Sequence, residues 1–594
     1  MIVRILLALV LLGFGSSADA TTSRKPHNVI VFVADGLRSG VVNEQSAPTF
    51  AAVRREGVDF RNSHSIYPTV TTANGSAIAT GHLLGDTGNF GNSIWLGRPL
   101  DPARPSTFAG LENDDDLRAL ARLYDGNYLN EDSLLGVARR AGFQTAAVGK
   151  LGPAWVQDVT GASDPFTVLI DDDTGKAGAR PLPPKLTAAM TLTGLSLSAP
   201  ANNEQGVAKT ANQSQQDWMT AAVTKALLPL FKKDGRPFAL VFWSCDPDCT
   251  QHTQGDSLGT LTPGVNGPTS EAAVRNADSD LAAIRVALHA LGLDKTTDIF
   301  VTADHGFATM SRQSLTSSTV TGHYPDTPAG LVPRGFFAID MASALELKLW
   351  DGRGGEVAAG SRPSYGGALL GADAAHPDFA IASNGGTELI YLPEGPDRKA
   401  RLDRVMGFLT AQDYVSAIFV DDALGSVMGA LPLSRAGLVG SAKTPRPTIA
   451  VSLRSFSTGC AKPELCAAEI ADTSVQQGQG THGALARSDT HNFMAAVGPD
   501  FRSGFVDPAP VSNADIAPTL AKVLGLKLTP KGKLTGRVIA EALPGGKVSA
   551  HSKATIRSTR AANGFQTVLD TQTVGNEVYL DAAGMPGRAV GLKP

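Results

Sequence analysis

Continuous apolar, β-branched runs recur along the first half of the chain and again near residue 495. The first run, Val29–Ala34, ends at Asp35-Gly36 and predicts a buried parallel strand that delivers Asp35 at its carboxyl end. Similar runs, with the same prediction, occupy Thr145–Val148, Phe238–Trp243, Ile299–Thr302 and Phe493–Val497. Helical patterns such as Glu271–Leu291 separate several of these runs. This alternation predicts an α/β fold with a central, mostly parallel sheet flanked by helices.

The alternation stops in a Gly- and Pro-rich stretch. We interpret this stretch as a cap inserted into the sheet domain. Two later runs, Thr567–Leu569 and Glu577–Leu580, predict a terminal hairpin. The predicted division is a core in two parts (residues 27–310 and 471–540), the inserted cap (residues 311–470) and a C-terminal hairpin-like extension (residues 541–594).

The N-terminus has the layout of a cleavable signal peptide over residues 1–20. Arg4 precedes the apolar run Ile5–Leu12, and Ala18-Asp19-Ala20 offers a cleavage site after Ala20. The alternative is an uncleaved anchor, but the run is too short for a permanent membrane-spanning helix. We therefore expect a secreted or periplasmic protein without a stable membrane span.

The composition predicts a globular protein and gives no indication of a nucleic-acid-binding surface. The 594 residues are 42% hydrophobic, enough apolar material for a sizeable core, and the net charge is only -4. The four cysteines fit disulfides in an exported protein. Cys460 and Cys466 close a short loop and are the first choice of pair. For Cys245 and Cys249, which flank Asp248, zinc ligation is a competing interpretation.

Acidic and imidazole side chains lie at or near several predicted strand ends. These candidate ligands are Asp35, Asp248, His252, Asp304, His305 and His482. Each fragment alone has another explanation, because a lone Asp often caps a helix and an Asp-His pair often forms a surface turn. Two divalent ions a few Å apart need about six such ligands, and a mixture of Asp and His suits zinc. The ordered set therefore predicts a two-metal site.

This order resembles the alkaline phosphatase superfamily and, within it, the type I phosphodiesterase/nucleotide pyrophosphatase family. The resemblance covers residues 27 to about 310 and 470 to about 525. Its most specific part is the octapeptide Tyr67-Pro68-Thr69-Val70-Thr71-Thr72-Ala73-Asn74, followed by Ala79-Thr80-Gly81. It implies an alkaline-phosphatase-like fold that hydrolyses phosphate esters or pyrophosphate bonds of a small molecule or nucleotide.

The resemblance also assigns roles to individual residues. It makes Thr71 the nucleophile that forms a covalent phosphothreonine, in preference to Thr69 and Thr72, and it gives phosphate binding to Asn92. One Zn²⁺ takes Asp248, His252 and His482, with His491 as an alternative to His482, and the other takes Asp35, Asp304, His305 and the Thr71 oxygen. Chemistry favours the same scheme, because metal coordination favours the alkoxide of an otherwise poor nucleophile. Gly306 and Gly483 are expected to allow close backbone approach beside the metals.

Lys150 bears on the choice between phosphodiesterase and phosphomonoesterase activity. In phosphomonoesterase relatives of the superfamily a lysine in a similar place binds the extra phosphate charge, and an arginine follows two residues later. Here that second position is Gly152. Lys150 therefore favours an alkaline phosphomonoesterase as the runner-up to a diesterase, unless it is a solvated surface lysine. A non-catalytic zinc-stabilised binding protein is the alternative from another class, although no nucleophile or ligand is missing.

Overall fold

The computed structural model describes residues 27–101, 105–162, 166–203, 206–363 and 367–593. The predicted signal peptide, residues 1–20, lies outside them. The β-strands, numbered in chain order, are β1 Asn28–Ala34, β2 Val58–Phe60, β3 Ser63–His64, β4 Ser93–Trp95, β5 Phe108–Gly110, β6 Gln144–Gly149, β7 Val168–Ile170, β8 Phe238–Ser244, β9 Thr297–Thr302, β10 Ala308–Ser311, β11 Leu349–Asp351, β12 Ala368–Leu370, β13 Phe379–Asn384, β14 Thr387–Tyr391, β15 Val415–Val420, β16 Leu431–Pro432, β17 Ile449–Leu453, β18 Ser455–Ser457, β19 Ala467–Ile470, β20 Gly480–Thr481, β21 Met494–Val497, β22 Phe505–Asp507, β23 Val511–Ser512, β24 Ser552–Arg557, β25 Val568–Val574 and β26 Glu577–Gly584.

The α-helices are α1 Pro48–Glu56, α2 Thr71–Thr80, α3 Leu84–Thr87, α4 Asp114–Leu123, α5 Leu134–Arg140, α6 Pro153–Val156, α7 Pro184–Leu192, α8 Gln213–Ala221, α9 Leu228–Asp234, α10 Asp248–Thr253, α11 Pro268–Ala290, α12 Phe336–Ala344, α13 Arg398–Ala411, α14 Arg487–Thr490 and α15 Ile516–Leu524. A π-helical turn, Ala222–Leu227, joins α8 to α9. Among the described helices, none is long and apolar enough to cross a membrane.

The central sheet has eight strands in the order β22-β2-β21-β9-β1-β8-β6-β7. Strands β9, β1, β8, β6 and β7 run parallel, which confirms the mostly parallel α/β sheet. The prediction for β21 was wrong in direction, because this strand pairs antiparallel with both β9 and β2. An apolar run reports burial on both faces but carries no signal for strand direction, which pairing partners decide.

Both faces of the sheet are covered, and the alternation of side chains along β1 shows how. Val29, Val31 and Val33 pack on the face with helices α2, α5 and α15, whereas Ile30 and Phe32 pack on the opposite face with α1, α8 and α11. Successive side chains of a strand point to opposite faces, so a strand buried on both sides is apolar throughout. This packing fixes the carboxyl ends of β1, β8 and β9 next to one another.

Residues 311–470 contain a sheet of their own, with strands in the order β11-β12-β13-β14-β17-β15-β16. One face, including Ile381 and Ile390, packs against α12 and α13. The other face, including Leu389 and Tyr391, joins the same apolar cluster as α2. Most of its strands pair antiparallel with their neighbours.

The predicted terminal hairpin is present, as the antiparallel pair β25 and β26, with β24 added as a third strand. Cys460 and Cys466 form the expected disulfide. Cys245 and Cys249 are also joined to each other, so their alternative role as zinc ligands is wrong.

Candidate active site

The first ligand group is assembled by the turn after β8 and the residue after β20. Asp248 begins α10 and His252 lies one helical turn later, so the two side chains share a face, with His252 Nε2 3.1 Å from Asp248 Oδ1. His482 follows β20 and places its Nε2 3.5 Å from the same oxygen. Offered ligand atoms of all three residues lie within 4.8 Å of one another. His491 does not belong to this group and instead contacts Glu464.

The second group lies where β1 and β9 end side by side. His305 Nε2 is 3.1 Å from Asp304 Oδ2 and 3.6 Å from Asp35 Oδ1. Thr71 Oγ1 is 3.3 Å from the same nitrogen. The His305 and His482 rings stack with centroids 3.6 Å apart, so the two groups adjoin. The structure thus brings together every ligand that the sequence predicted.

The three histidines are oriented in the same way. Each places Nδ1 within 2.9 Å of a backbone carbonyl: that of Gly480 for His252, Gly306 for His305 and Thr69 for His482. A carbonyl only accepts hydrogen bonds, so Nδ1 carries a proton, and in the neutral imidazole Nε2 keeps its lone pair. The Nε2 atoms face the aspartates. Such outer hydrogen bonds fix the tautomer of a metal-binding imidazole.

The three aspartates each have one oxygen held by a donor. Asp35 Oδ2 accepts from Trp243 Nε1 at 2.9 Å, Asp248 Oδ2 from Lys150 Nζ at 2.7 Å, and Asp304 Oδ1 from the Gly36 amide at 3.0 Å. The other oxygens, Asp35 Oδ1, Asp248 Oδ1 and Asp304 Oδ2, are buried and have no hydrogen-bond partner within the described ranges. These same oxygens face the histidine Nε2 atoms. A buried carboxylate oxygen without a donor is costly unless a cation binds there, so the side chains fit a pair of metal ions.

The electrostatics of the groups point the same way. Burial raises the pKa of Asp35 well above its usual range, and nearby Asp248 and Asp304 raise it further. Although burial opposes the change, Asp304 and Asp35 raise the pKa of His305 to about 10. Divalent cations would offset the repulsion among these carboxylates.

Thr71 and Asn92 border the open side of this site. Thr71 is the first residue of α2 and is fully buried. Asn92 Oδ1 accepts from the Thr72 amide at 2.9 Å and from Thr72 Oγ1 at 3.0 Å, which leaves the amide NH₂ of Asn92 available. Both residues line a cleft of about 1130 Å³. A helix N-terminus and a free amide donor suit an anionic group.

Lys150 lies inside the site and is only 6% exposed, which excludes the interpretation as a solvated lysine. Its Nζ bridges the two groups, at 2.7 Å from Asp248 Oδ2 and 3.2 Å from Asp35 Oδ2. Glu112 Oε1 is 3.7 Å away. Lys150 also lines the cleft.

The two glycines beside the ligands are closely approached by backbone. A Cβ on Gly306 would lie 2.0 Å from the Ser488 carbonyl oxygen, and one on Gly483, whose φ is +121°, would lie 2.6 Å from the Asn384 oxygen. Close approach at Gly306 and Gly483 is therefore confirmed.

Sequence reasoning missed three supporting residues. Trp243 contacts Asp35, and Glu112 contacts Lys150. Asp489 accepts hydrogen bonds from the Gly483 and Ala484 amides. Trp243 could have been found from its place at the end of β8, beside the strand that carries Asp35.

The fold and site together define an α/β enzyme with a candidate two-metal centre. The family model for type I phosphodiesterase / nucleotide pyrophosphatase matches residues 29–327, half of the chain. The chain therefore belongs to this family, and it is a phosphoric ester hydrolase. No curated protein sequence matches it.

Solved structures with a similar fold include murine ectonucleotide pyrophosphatase / phosphodiesterase 5, in an inactive variant with threonine replaced by alanine, in complex with AMP. That structure has 16% identity and a TM-score of 0.50, and the match covers 85% of this chain and 96% of that chain. The human counterpart also has 16% identity and the same coverage, with a TM-score of 0.48.

Proposed function

We propose that the protein is a two-zinc hydrolase that cleaves phosphate diesters or pyrophosphate bonds through a phosphothreonine at Thr71. The observation that carries the proposal is the set of three buried carboxylate oxygens without donors, which face three imidazole Nε2 atoms. One zinc would be held by Asp248, His252 and His482. The other would be held by Asp35, Asp304, His305 and the Thr71 oxygen. Zinc bound there supplies positive charge that favours the threonine alkoxide and offsets charge on the phosphoryl oxygens.

Thr71 performs the covalent step. Its Oγ1 forms a bond to phosphorus while the bond from phosphorus to the leaving oxygen breaks, and water then cleaves the Thr71–phosphate ester to regenerate the hydroxyl. The N-terminus of α2 adds a favourable field at the developing negative charge. The hydroxyl proton of Thr71 leaves to solvent as the alkoxide forms, and the leaving oxygen takes up a proton from solvent.

Asn92 holds the phosphoryl group. Its carbonyl oxygen is occupied by Thr72, so its NH₂ is directed to donate to a non-bridging phosphate oxygen. Because Thr72 is itself part of α2, the same contact fixes the donor relative to Thr71.

Alkaline phosphomonoesterase activity is the second candidate, and the burial of Lys150 beside both ligand groups supports it. A lysine ammonium interacts more strongly with a dianionic monoester than with a monoanionic diester. We nevertheless place the diesterase first. The lysine is already bound by two aspartates, and Gly152 stands where monoesterase relatives carry arginine.

The remaining assignments belong to the same proposal. Residues 311–470 act as the cap on a core of 27–310 and 471–540, with 541–594 as an extension, and the cleft includes residues of this cap region. A nucleotide is the favoured substrate, in keeping with the family and with AMP in the murine structure. The signal-like residues 1–20 and the two disulfides support export to the periplasm or the outside of the cell.

A substrate panel tests the function. The zinc-loaded protein is assayed with p-nitrophenyl phosphate and bis(p-nitrophenyl) phosphate, before and after chelation and zinc repletion. We expect a higher kcat/KM for the diester and zinc-dependent recovery of both activities. A higher kcat/KM for the monoester would make the protein a phosphomonoesterase, and turnover that survives complete metal removal would refute the metal scheme.

A further inference from the structure

The cleft that contains Thr71, Asn92 and Lys150 continues to Arg334, a residue of the 311–470 region beyond the part of the chain that the family model matches. At about 1130 Å³, the cleft is far larger than one phosphoryl group requires. Residues along its walls can therefore contact parts of the substrate other than the phosphate attacked by Thr71.

The backbone on both sides of Arg334 is fixed. Two residues earlier, Val332 exchanges hydrogen bonds with Arg312: its amide donates to the Arg312 carbonyl and its carbonyl accepts from Arg312 Nη1, both at 2.9 Å. On the other side, the buried Asp472 carboxylate accepts from the Gly335 and Phe337 amides at the start of α12. Two buried ionic side chains thus hold the short loop that presents Arg334.

The Arg334 guanidinium itself has no partner among the residues that the structure describes. Its side chain is half-buried, and no hydrogen bond or ion pair joins it to another described residue. Arg312 donates to the carbonyls of Thr473 and Val475, and Arg362 lies 3.8 Å from Asp326. Burial, together with the charges of Arg362 and Arg334, lowers the pKa of Arg312 to about 10, against the opposing effect of Asp472. Three positive groups are therefore close together, and of these three Arg334 lines the cleft and has no counter-ion in the described part of the chain.

We propose that Arg334 binds a second phosphate group of the substrate, distinct from the phosphate that Thr71 attacks. The proposal rests on phosphate-ester hydrolysis at Thr71 and makes Arg334 a specificity residue that favours substrates with at least two phosphates over substrates with one. A guanidinium presents a rigid fork of donors that matches phosphate oxygens, and a preformed loop reduces the entropy lost on binding.

Equilibrium binding tests this contact without turnover. Calorimetry on the zinc-loaded protein compares AMP, which has one phosphate, with α,β-methylene-ATP, which resists cleavage at the first anhydride. The variants are Arg334→Ala, Arg334→Lys and, as a matched control from the same cluster, Arg362→Ala, whose side chain is not in the cleft wall. We expect Arg334→Ala to weaken the triphosphate analogue by about 10- to 100-fold and AMP by less than about threefold, with Arg334→Lys between wild type and Ala.

Equal weakening of both nucleotides by Arg334→Ala, or an equal loss in Arg362→Ala, would overturn the proposal, because a direct contact with a second phosphate predicts neither. A parallel assay with bis(p-nitrophenyl) phosphate separates the two levels of inference. If the protein hydrolyses this diester but Arg334→Ala binds the triphosphate analogue as tightly as wild type, only the second-phosphate site is refuted. If Arg334→Ala weakens binding of the triphosphate analogue but the metal-loaded protein does not hydrolyse the diester, the second-phosphate site is supported and the proposed hydrolysis is refuted. Thermal unfolding of each variant verifies that the fold is retained.

Discussion

The candidate metal-ligand groups around Asp248 and Asp304 can be compared with another buried set, His82, Asp86 and Glu131, whose potential ligand atoms also lie within 4.8 Å of one another. In this set the carboxylates are saturated. Asp86 accepts from the Ser441 amide and hydroxyl and from the Leu534 amide, and Glu131 accepts from the Lys531 and Gly532 amides. His82 turns Nδ1 to Asp86 at 3.0 Å and Nε2 to Glu131 at 3.5 Å.

The same residue types therefore serve two purposes. In the candidate active site, imidazole Nδ1 atoms are occupied by carbonyls and carboxylate oxygens are left without donors, so free lone pairs converge. Around His82, both ring nitrogens face carboxylates on different sides, and backbone amides occupy the oxygens. We call the second arrangement, formed by His82, Asp86 and Glu131, the clamp. Its hydrogen bonds join residues 82–86 to the distant loops that contain Ser441 and residues 531–534. The pattern of hydrogen bonds, more than residue type, separates a metal site from a structural cluster.

The largest expected effect concerns the proposed nucleophile. Thr71→Ala removes the covalent route while leaving Asp and His ligands in place, so turnover should fall by at least about a thousandfold with metal content unchanged. Steady-state kinetics and elemental analysis on the same sample measure both quantities. Near-normal turnover by a pure, metal-loaded variant would contradict the assignment of Thr71.

Matched amide substitutions test the comparison itself. Asp248→Asn should reduce the metal content from about two zinc ions to about one per chain and abolish most activity, because it removes a metal-facing charge. Glu131→Gln should keep both ions but lower the free energy of unfolding by about 1–3 kcal/mol, because its NH₂ then opposes a backbone amide donor. Elemental analysis after dialysis and urea unfolding give the two readouts. Loss of zinc from the Glu131 variant would mean that the clamp is a metal site.

Substitution of Lys150 tests whether the site distinguishes substrates by their charge. Lys150→Ala should lower kcat/KM for monoesters by about 10–100-fold more than for diesters, if its ammonium contacts the phosphoryl group. Matched p-nitrophenyl monoester and diester substrates provide the measurement. Equal losses would assign Lys150 to holding Asp35 and Asp248 instead.

Trp243 should affect metal affinity more than stability. Its Nε1 occupies Asp35 Oδ2 and so directs Oδ1 toward the ligand group, and we expect Trp243→Phe to weaken zinc binding by about tenfold. Trp218→Phe is the control, since Trp218 donates to the Ser196 carbonyl away from the site. Competitive zinc titration with a chromogenic chelator compares the variants. An equal change in both would show that the indole of Trp243 acts only through packing.

The smallest effect is the acid sensitivity of the clamp. Burial alone would raise the pKa of Asp86, but hydrogen bonds from His82, Ser441 and Leu534 bring it below its usual range. A lowered folded-state pKa contributes stability above the unfolded-state value, and that contribution is lost as pH falls through the folded-state value. Unfolding of metal-free protein between pH 7 and about pH 3 should therefore show a smaller acid loss for Asp86→Asn than for wild type. An identical loss would show that Asp86 contributes nothing to acid sensitivity.

Local sequence predicted the features of the site that are set within one strand or one helical turn. The strand before Asp35 is apolar on both faces, and the four-residue spacing of Asp248 and His252 matches one helical turn. The antiparallel direction of β21, the seven-stranded sheet within 311–470 and the contact of Trp243 with Asp35 depend on partners distant in sequence. Periodicity carries no signal for such partners.

By itself, therefore, the sequence determined the α/β class and singled out the candidate ligand residues and Thr71, which the structure brings together. These follow from short-range patterns of apolar runs, strand ends and motif spacing. Only the tertiary structure decided which oxygen of each aspartate is left free, that Lys150 is buried between the two ligand groups, and that His82 is clamped instead of converging with them. The physical reason is that hydrogen-bond satisfaction depends on which backbone amides and carbonyls the packed strands and loops bring to each side chain.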